Sequence, residues 1–138
     1  MADPKRFHRT RQDHSREIAE DYCELIAHLI ETEGEARTTD LADRLGVSKV
    51  NVSKTIQKLA KEGLVTSEPY RSIFLTPEGQ KVAAESQARH QTVVEFLKAL
   101  GISDQTAEID AEGIEHHVST ETLAAMANFI HKPKNETP

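Results

Sequence analysis

Thr38-Thr39-Asp40-Leu41-Ala42-Asp43-Arg44-Leu45-Gly46-Val47-Ser48 is the stretch that decides the fold. A Thr cap opens a short amphipathic helix with Leu41, Ala42 and Leu45 on its apolar side. Gly46 permits the left-handed turn that stops it. Val47 is then expected to plug the core, and Ser48 to cap a second helix. That helix carries Val52, Ile56 and Leu59 on its inner face and ends near Gly63. Capped helix, Gly-containing turn and second capped helix together make the helix-turn-helix pattern. Its outer face presents Ser48, Lys49, Val50, Asn51 and Lys54, with Lys58 and Lys61 beyond. Cations and an amide on one exposed face suit a helix lying in the major groove between phosphates. A generic two-helix hairpin shares this outline, so the flanking sequence has to decide.

Downstream, Leu64–Ser67 and Ile73–Thr76 read as two strands around the turn Glu68-Pro69-Tyr70-Arg71-Ser72. A hairpin directly after a recognition helix is a wing. Tyr70 and Arg71 sit at its tip, where Arg71 suits a phosphate or the minor groove. The combination is a winged helix-turn-helix rather than a bare motif. Upstream, Ile18, Tyr22, Leu25, Ile26, Leu29 and Ile30 recur at spacings of three and four, which predicts a helix from about Arg16 to Thr32. Residues 1–15 are polar, basic and aperiodic. They are expected to form a disordered arm that could track phosphates.

Beyond the wing, Thr76-Pro77-Glu78 is a helix start, with a Thr cap, Pro at the first helical position and an acid in the first turn. The helix runs to about Leu100, before Gly101, with Val93, Val94, Phe96, Leu97 and Leu100 on its apolar face. Ser103 caps a helix to about Ala111, and Ser119 caps a last one with Leu123, Met126, Phe129 and Ile130. Short helices of this kind cannot bury their apolar faces alone, so a homodimer is expected. The predicted layout is an arm over 1–15, a winged helix-turn-helix DNA-binding domain over 16–76, a helical dimerisation and metal-binding domain over 77–131, and a tail over 132–138. The fold class is mainly α, with one short β-hairpin.

Net charge is −6, which on its own does not advertise a nucleic-acid binder. The charge is segregated, however. Arg and Lys crowd the first sixteen residues, whereas between Leu100 and His131 there is neither, only Asp104, Glu108, Asp110, Glu112, Glu115 and Glu121. Cys23 is the sole cysteine, so no internal disulfide forms, which fits a reducing cytoplasm. No apolar run reaches the roughly 20 residues a membrane span needs, and the basic N-terminus lacks the apolar core of a secretory signal.

Six residues in three separated helices have metal-ligand chemistry: Asp21 and Glu24, then His90, then Glu112, Glu115 and His116. In helical geometry the last three lie at i, i+3 and i+4 and share a face. Carboxylates gathered without a counter-ion repel and raise one another's pKa, which a bound divalent cation would relieve. Oxygen-rich ligation with imidazole and no thiolate favours Mn²⁺ or Fe²⁺, while Zn²⁺ or Co²⁺ could bind in vitro. Plain solvated helix faces are the competing reading of the same residues.

The motifs D-Y-C-E at 21–24, R-H-Q at 89–91 and E-G-I-E-H-H at 112–117, set behind a winged helix, resemble the diphtheria-toxin-repressor family of metalloregulators, in its manganese-transport regulator branch. The resemblance spans Ile18 to Phe129. It implies a two-metal manganese site per subunit built by Asp21, Glu24, His90, Glu112, Glu115 and His116, with His117 no more than a neighbour of the ligands. Iron-responsive relatives carry Met at the position of Asp21 and Cys at that of Glu112, so the carboxylates here imply manganese. The chain departs from the pattern in its basic arm, and no SH3-like third domain is expected after the helices. The resemblance thus implies a cytoplasmic, homodimeric, Mn²⁺-responsive repressor of manganese uptake genes on a palindromic operator, and not an enzyme. Three other readings stay open: an Fe²⁺-responsive regulator, a winged-helix sensor of an organic ligand, and a small metallohydrolase.

Overall fold

The computed structural model describes the backbone of residues 4–68 and 71–132, and side chains from residue 14 onward. It comprises α1 (Pro4–Glu33), α2 (Thr38–Leu45), α3 (Lys49–Lys61), β1 (Val65–Thr66), β2 (Phe74–Leu75), α4 (Pro77–Ala99), α5 (Asp104–Ile114) and α6 (Thr120–His131). The chain divides into two compact units, Met1–Glu85 and Ser86–Pro138.

In the first unit, α1 supplies Tyr22, Ile26 and Leu29 to a core shared with Leu41 of α2 and Val52, Ile56 and Leu59 of α3. Val65 and Ile73 close it from the wing. The spacing of these residues is that of one helix face on each of the three helices, which is why they meet. α1 begins at Pro4, well ahead of the expected Arg16, so its backbone is helical through most of the stretch expected to be a disordered arm. Two properties of that stretch favour this: Pro is preorganised for a first helical turn, and the following residues contain no Gly. The arm's side chains before residue 14, and any phosphate contact they make, lie outside the described residues.

The helix-turn-helix follows its sequence pattern with two corrections. The residue capping α2 is Arg37, in extended conformation and with no side-chain cap bond; Thr38 and Thr39 lie inside the helix. Arg37 points instead to Glu35, at 2.9 Å. Val47 does not plug the core, being 37% exposed, because the αL turn at Gly46 (φ 68°) swings it toward solvent. Ser48 does cap α3: its hydroxyl accepts the Asn51 N–H at 3.1 Å.

The wing is shorter than the sequence suggests. Two-residue strands pair antiparallel in the register Val65–Leu75 and Thr66–Phe74. Its base is tied at Thr76. The Thr76 N–H donates to the Leu64 carbonyl at 3.0 Å. The Thr76 hydroxyl donates to the Gly63 carbonyl at 2.6 Å and accepts the Gly79 N–H at 3.1 Å, so it caps α4 as expected. Gly79 is buried against the same junction, where a side chain would meet the Leu64 carbonyl.

In the second unit, Val93 and Val94 of α4 pack on Ala107 and Ala111 of α5, all four buried. Alanines one turn apart let the two helix backbones approach closely. α6 lays Leu123 and Met126 against this core and stacks Phe129 edge-on to Phe96, with ring centroids 5.5 Å apart. It buries no residue completely. Leu100, Ile102, Ile109 and Phe129 remain exposed, at 55%, 37%, 64% and 50%. Among the described residues no helix is long and apolar enough to cross a membrane.

Candidate functional site

The first unit offers a nucleic-acid surface. With Val52, Ile56 and Leu59 turned inward, α3 must present Lys49, Val50, Asn51, Ser53, Lys54, Gln57 and Lys58 outward, and all of them are exposed. Val50, an apolar side chain 65% exposed, has no core role. Ser48 is engaged through its hydroxyl in the α3 cap, so its contribution is to fix the start of the helix. A groove of about 680 Å³ runs between the start of α2, α3 and the wing, lined by Arg37, Thr39, Lys49, Gln57, Ser67 and Arg71. Arg71 is largely exposed and lies 3.4 Å from Glu68, a pair that solvent screens and a phosphate could displace. Tyr70 lies outside the described residues.

The second unit holds a cluster of ionisable groups around His90. Three carboxylates from α5 and its C-terminal cap meet the ring. Glu115 Oε2 lies 2.6 Å from Nδ1 and Glu112 Oε1 3.6 Å from the same nitrogen. Glu108 Oε2 lies 2.8 Å from Nε2. Residues 108, 112 and 115 are spaced i, i+4 and i+7, which aligns them on one helix face. His90 lies one turn before Val93 and Val94, so the contact that packs α4 on α5 also carries the ring into the acidic face. His116 follows in the turn after α5, buried beside Glu115, with Nε2 3.3 Å from Glu115 Oε1. Glu115 is fully buried, whereas Glu112 and Glu108 are open to solvent.

Carboxylates only accept hydrogen bonds, so a carboxylate at each ring nitrogen favours the imidazolium, which donates from both. Burial works against that charge and is the largest single influence. The hydrogen bond to Glu108, the charge and hydrogen bond of Glu115 and the charge of Glu112 together outweigh it, and the His90 pKa is raised from its ordinary value. The proton thus serves as a counter-ion for the acidic face.

The donors also suit a metal. One ligand atom each from His90, Glu112 and Glu115 lie within 4.8 Å of one another, close enough to share a cation. Oxygen and imidazole donors without thiolate match a hard or borderline divalent ion. Of the six residues expected as ligands, the structure brings His90, Glu112 and Glu115 together and sets His116 beside Glu115. Asp21 and Glu24 belong to the first unit, half-buried and one turn apart on α1. Cys23, between them in sequence, is fully buried in the core. Glu108 was not among the expected residues. It lies one turn before Glu112, and that spacing was its only sequence signal.

Comparison with known proteins gives this arrangement its family. Residues 15–73 match the description "Iron dependent repressor, N-terminal DNA binding domain" and residues 76–137 match "Iron dependent repressor, metal binding and dimerisation domain". The transcriptional regulator MntR of Escherichia coli O6:H1 is 52% identical over 126 residues, covering 91% of this chain and 81% of that protein. The chain belongs to the MntR family of transcriptional regulators. A second MntR, from Geobacillus kaustophilus, is 39% identical over 111 residues, 80% of this chain and 79% of that protein. Among solved structures, a "Manganese-dependent transcriptional repressor complex with manganese" superposes with a TM-score of 0.75 at 32% identity, over 83% of this chain and 53% of that one. The manganese regulator SloR does so with a TM-score of 0.71 at 29% identity, over 84% and 54%. The chain therefore spans about half the length of these solved structures. As an MntR-family member it is a metal-dependent DNA-binding regulator and not an enzyme. Its winged helix-turn-helix is the DNA-binding domain, and its C-terminal helices are the metal-binding and dimerisation domain.

Proposed function

We propose that the protein is a Mn²⁺-responsive repressor of manganese uptake genes, acting in the cytoplasm as a homodimer on a palindromic operator. One observation carries the choice of metal: the convergence of His90, Glu112 and Glu115 into a donor set with no sulfur. The ligand set of the proposal is Asp21, Glu24, His90, Glu112, Glu115 and His116, holding two Mn²⁺ per subunit. The bound ions supply positive charge against the gathered carboxylates. The control mechanism is linkage. Metal binds the DNA-competent arrangement better than the alternatives and shifts the population toward it. On the DNA side, Lys49, Val50, Asn51 and Lys54 enter the major groove from a start fixed by Ser48, while Tyr70 and Arg71 serve the wing. Two-fold pairing would set the two recognition helices on matching half-sites.

The matched domains are those of an iron-dependent repressor family, and an Fe²⁺-responsive regulator is the second reading. Glu112 favours manganese, since a carboxylate bridges hard cations where a thiolate would select softer ones. The deciding experiment is operator binding by metal-free protein titrated separately with Mn²⁺, Fe²⁺, Co²⁺ and Zn²⁺ under anaerobic conditions. Activation by Mn²⁺ at the lowest free concentration relative to its supply in cells is expected. Operator binding that ignores every metal would refute the proposal.

A further inference from the structure

We propose that Glu108 is a positioning residue for the metal centre, holding the His90 ring so that Nδ1 faces the cation. The inference rests on the reading of His90 as a metal ligand and goes beyond it. The two ring nitrogens have different neighbours. Nδ1 faces Glu115 at 2.6 Å and Glu112 at 3.6 Å, the two carboxylates of the donor set. Nε2 faces Glu108, at 2.8 Å. A cation shared with Glu112 and Glu115 must therefore replace the proton on Nδ1. Nε2 then keeps its hydrogen and donates it to Glu108.

That arrangement does three things. It fixes which nitrogen is free to bind, because the tautomer with hydrogen on Nε2 is the one Glu108 stabilises. It fixes the ring plane, since the imidazole is held at both ends. It also makes Nδ1 a stronger donor, through partial negative charge passed along the hydrogen bond. Glu108 cannot be a ligand to the same ion, because it lies on the opposite edge of the ring. Its side chain is 59% exposed, so it contributes little to packing and can be replaced without opening a cavity.

The test compares wild type with Glu108→Ala, Glu108→Gln and, as a control, His90→Ala. Mn²⁺ affinity is measured by calorimetry. The His90 ring nitrogens are followed by long-range ¹H–¹⁵N NMR in metal-free protein and with Cd²⁺, which is diamagnetic. Glu108→Ala is expected to weaken Mn²⁺ binding about tenfold to a hundredfold, the usual cost of losing the partner of a ligating histidine. The metal-free melting temperature should barely move. Glu108→Gln, which keeps an acceptor oxygen, should recover part of the affinity. With Cd²⁺, wild-type His90 should show metal on Nδ1 and hydrogen on Nε2, and the alanine variant should lose that single pattern. Wild-type affinity together with an unchanged His90 spectrum in Glu108→Ala would overturn the proposal while leaving the metal site standing. Wild-type affinity in His90→Ala would overturn the metal reading of His90, and Glu108 with it.

Discussion

Gly79→Ala sets two physical effects against each other at the base of the wing. By helix propensity alone the change should help, because Ala is better than Gly in a helix interior by about 1 kcal/mol. The structure says otherwise. A methyl carbon at Gly79 would drive into the Leu64 carbonyl oxygen, well inside the 3.0 Å that such carbons keep, with the carbonyl carbon and Leu75 Cδ2 both at 3.1 Å. The obstacle is backbone, not a side chain that can rotate away. The same carbonyl accepts the Thr76 N–H, so moving it disturbs the bond that ties the wing to the start of α4. Relief needs a backbone shift on the order of 1 Å, and overpacking of this kind costs about 1–3 kcal/mol, with a backbone obstacle at the upper end. After subtracting the propensity gain, the net loss is about 2 kcal/mol. For a chain of this size that lowers the melting temperature by roughly 5–10 °C. Thermal unfolding followed by circular dichroism reads this directly, and operator binding below the transition reads the wing. Metal binding at the proposed His90 site should persist. A melting temperature equal to or above wild type would refute the reasoning, since propensity would then have won and the close approach at Leu64 would not exist in solution.

Lys54→Ala and Arg71→Ala should each weaken operator binding with metal affinity unchanged, and each lost phosphate contact should reduce the salt slope of binding by about one; unchanged affinity and slope in both would move the DNA surface elsewhere. Asp21→Met combined with Glu112→Cys should lower metal stoichiometry toward one per subunit and relax the preference for Mn²⁺, read by metal analysis and operator affinity; wild-type stoichiometry and metal ranking would remove both residues from the selectivity set. Burial, reinforced by the charges of Glu20 and Glu62, raises the Cys23 thiol from 9.0 to about 11. Native protein at pH 8 should therefore resist thiol reagents that label the unfolded chain at once. Because the unfolded thiol ionises first, the folded state loses stability as pH rises from about 9 towards 11, and a Cys23→Ala variant should lack that loss in pH-dependent denaturation.

Much of the molecule was legible because its signals are local. Gly46 and Ser48 are readable as stop and start, since an αL turn and a side-chain cap depend on a few consecutive residues. The Thr76-Pro77 helix start is readable for the same reason. Sequence and structure part where local rules compete. Thr38 and Thr39 are good caps, but Arg37 takes the cap position, two residues after the Glu35 it pairs with. Val47 looks like a core residue by composition, and only the direction of the turn exposes it. The helix ahead of Arg16 lacks apolar periodicity, so no pattern of buried residues announces it. At the candidate metal centre, spacing along one helix face was enough to nominate Glu112, Glu115 and His116. Glu108 sits on that same face, and only the packing of α4 against α5 singles it out from the other acids nearby.

The acids that share Nδ1 of His90 differ in their access to water. Glu115 is sealed, and Glu112 has 63% of its side chain open. Thermodynamic selectivity depends on the whole donor set, but traffic does not. A cation held between them would meet solvent on the Glu112 side and not on the Glu115 side. On the proposed reading, that one solvent-facing carboxylate would set how quickly a bound ion leaves, and with it how quickly the regulator answers falling metal.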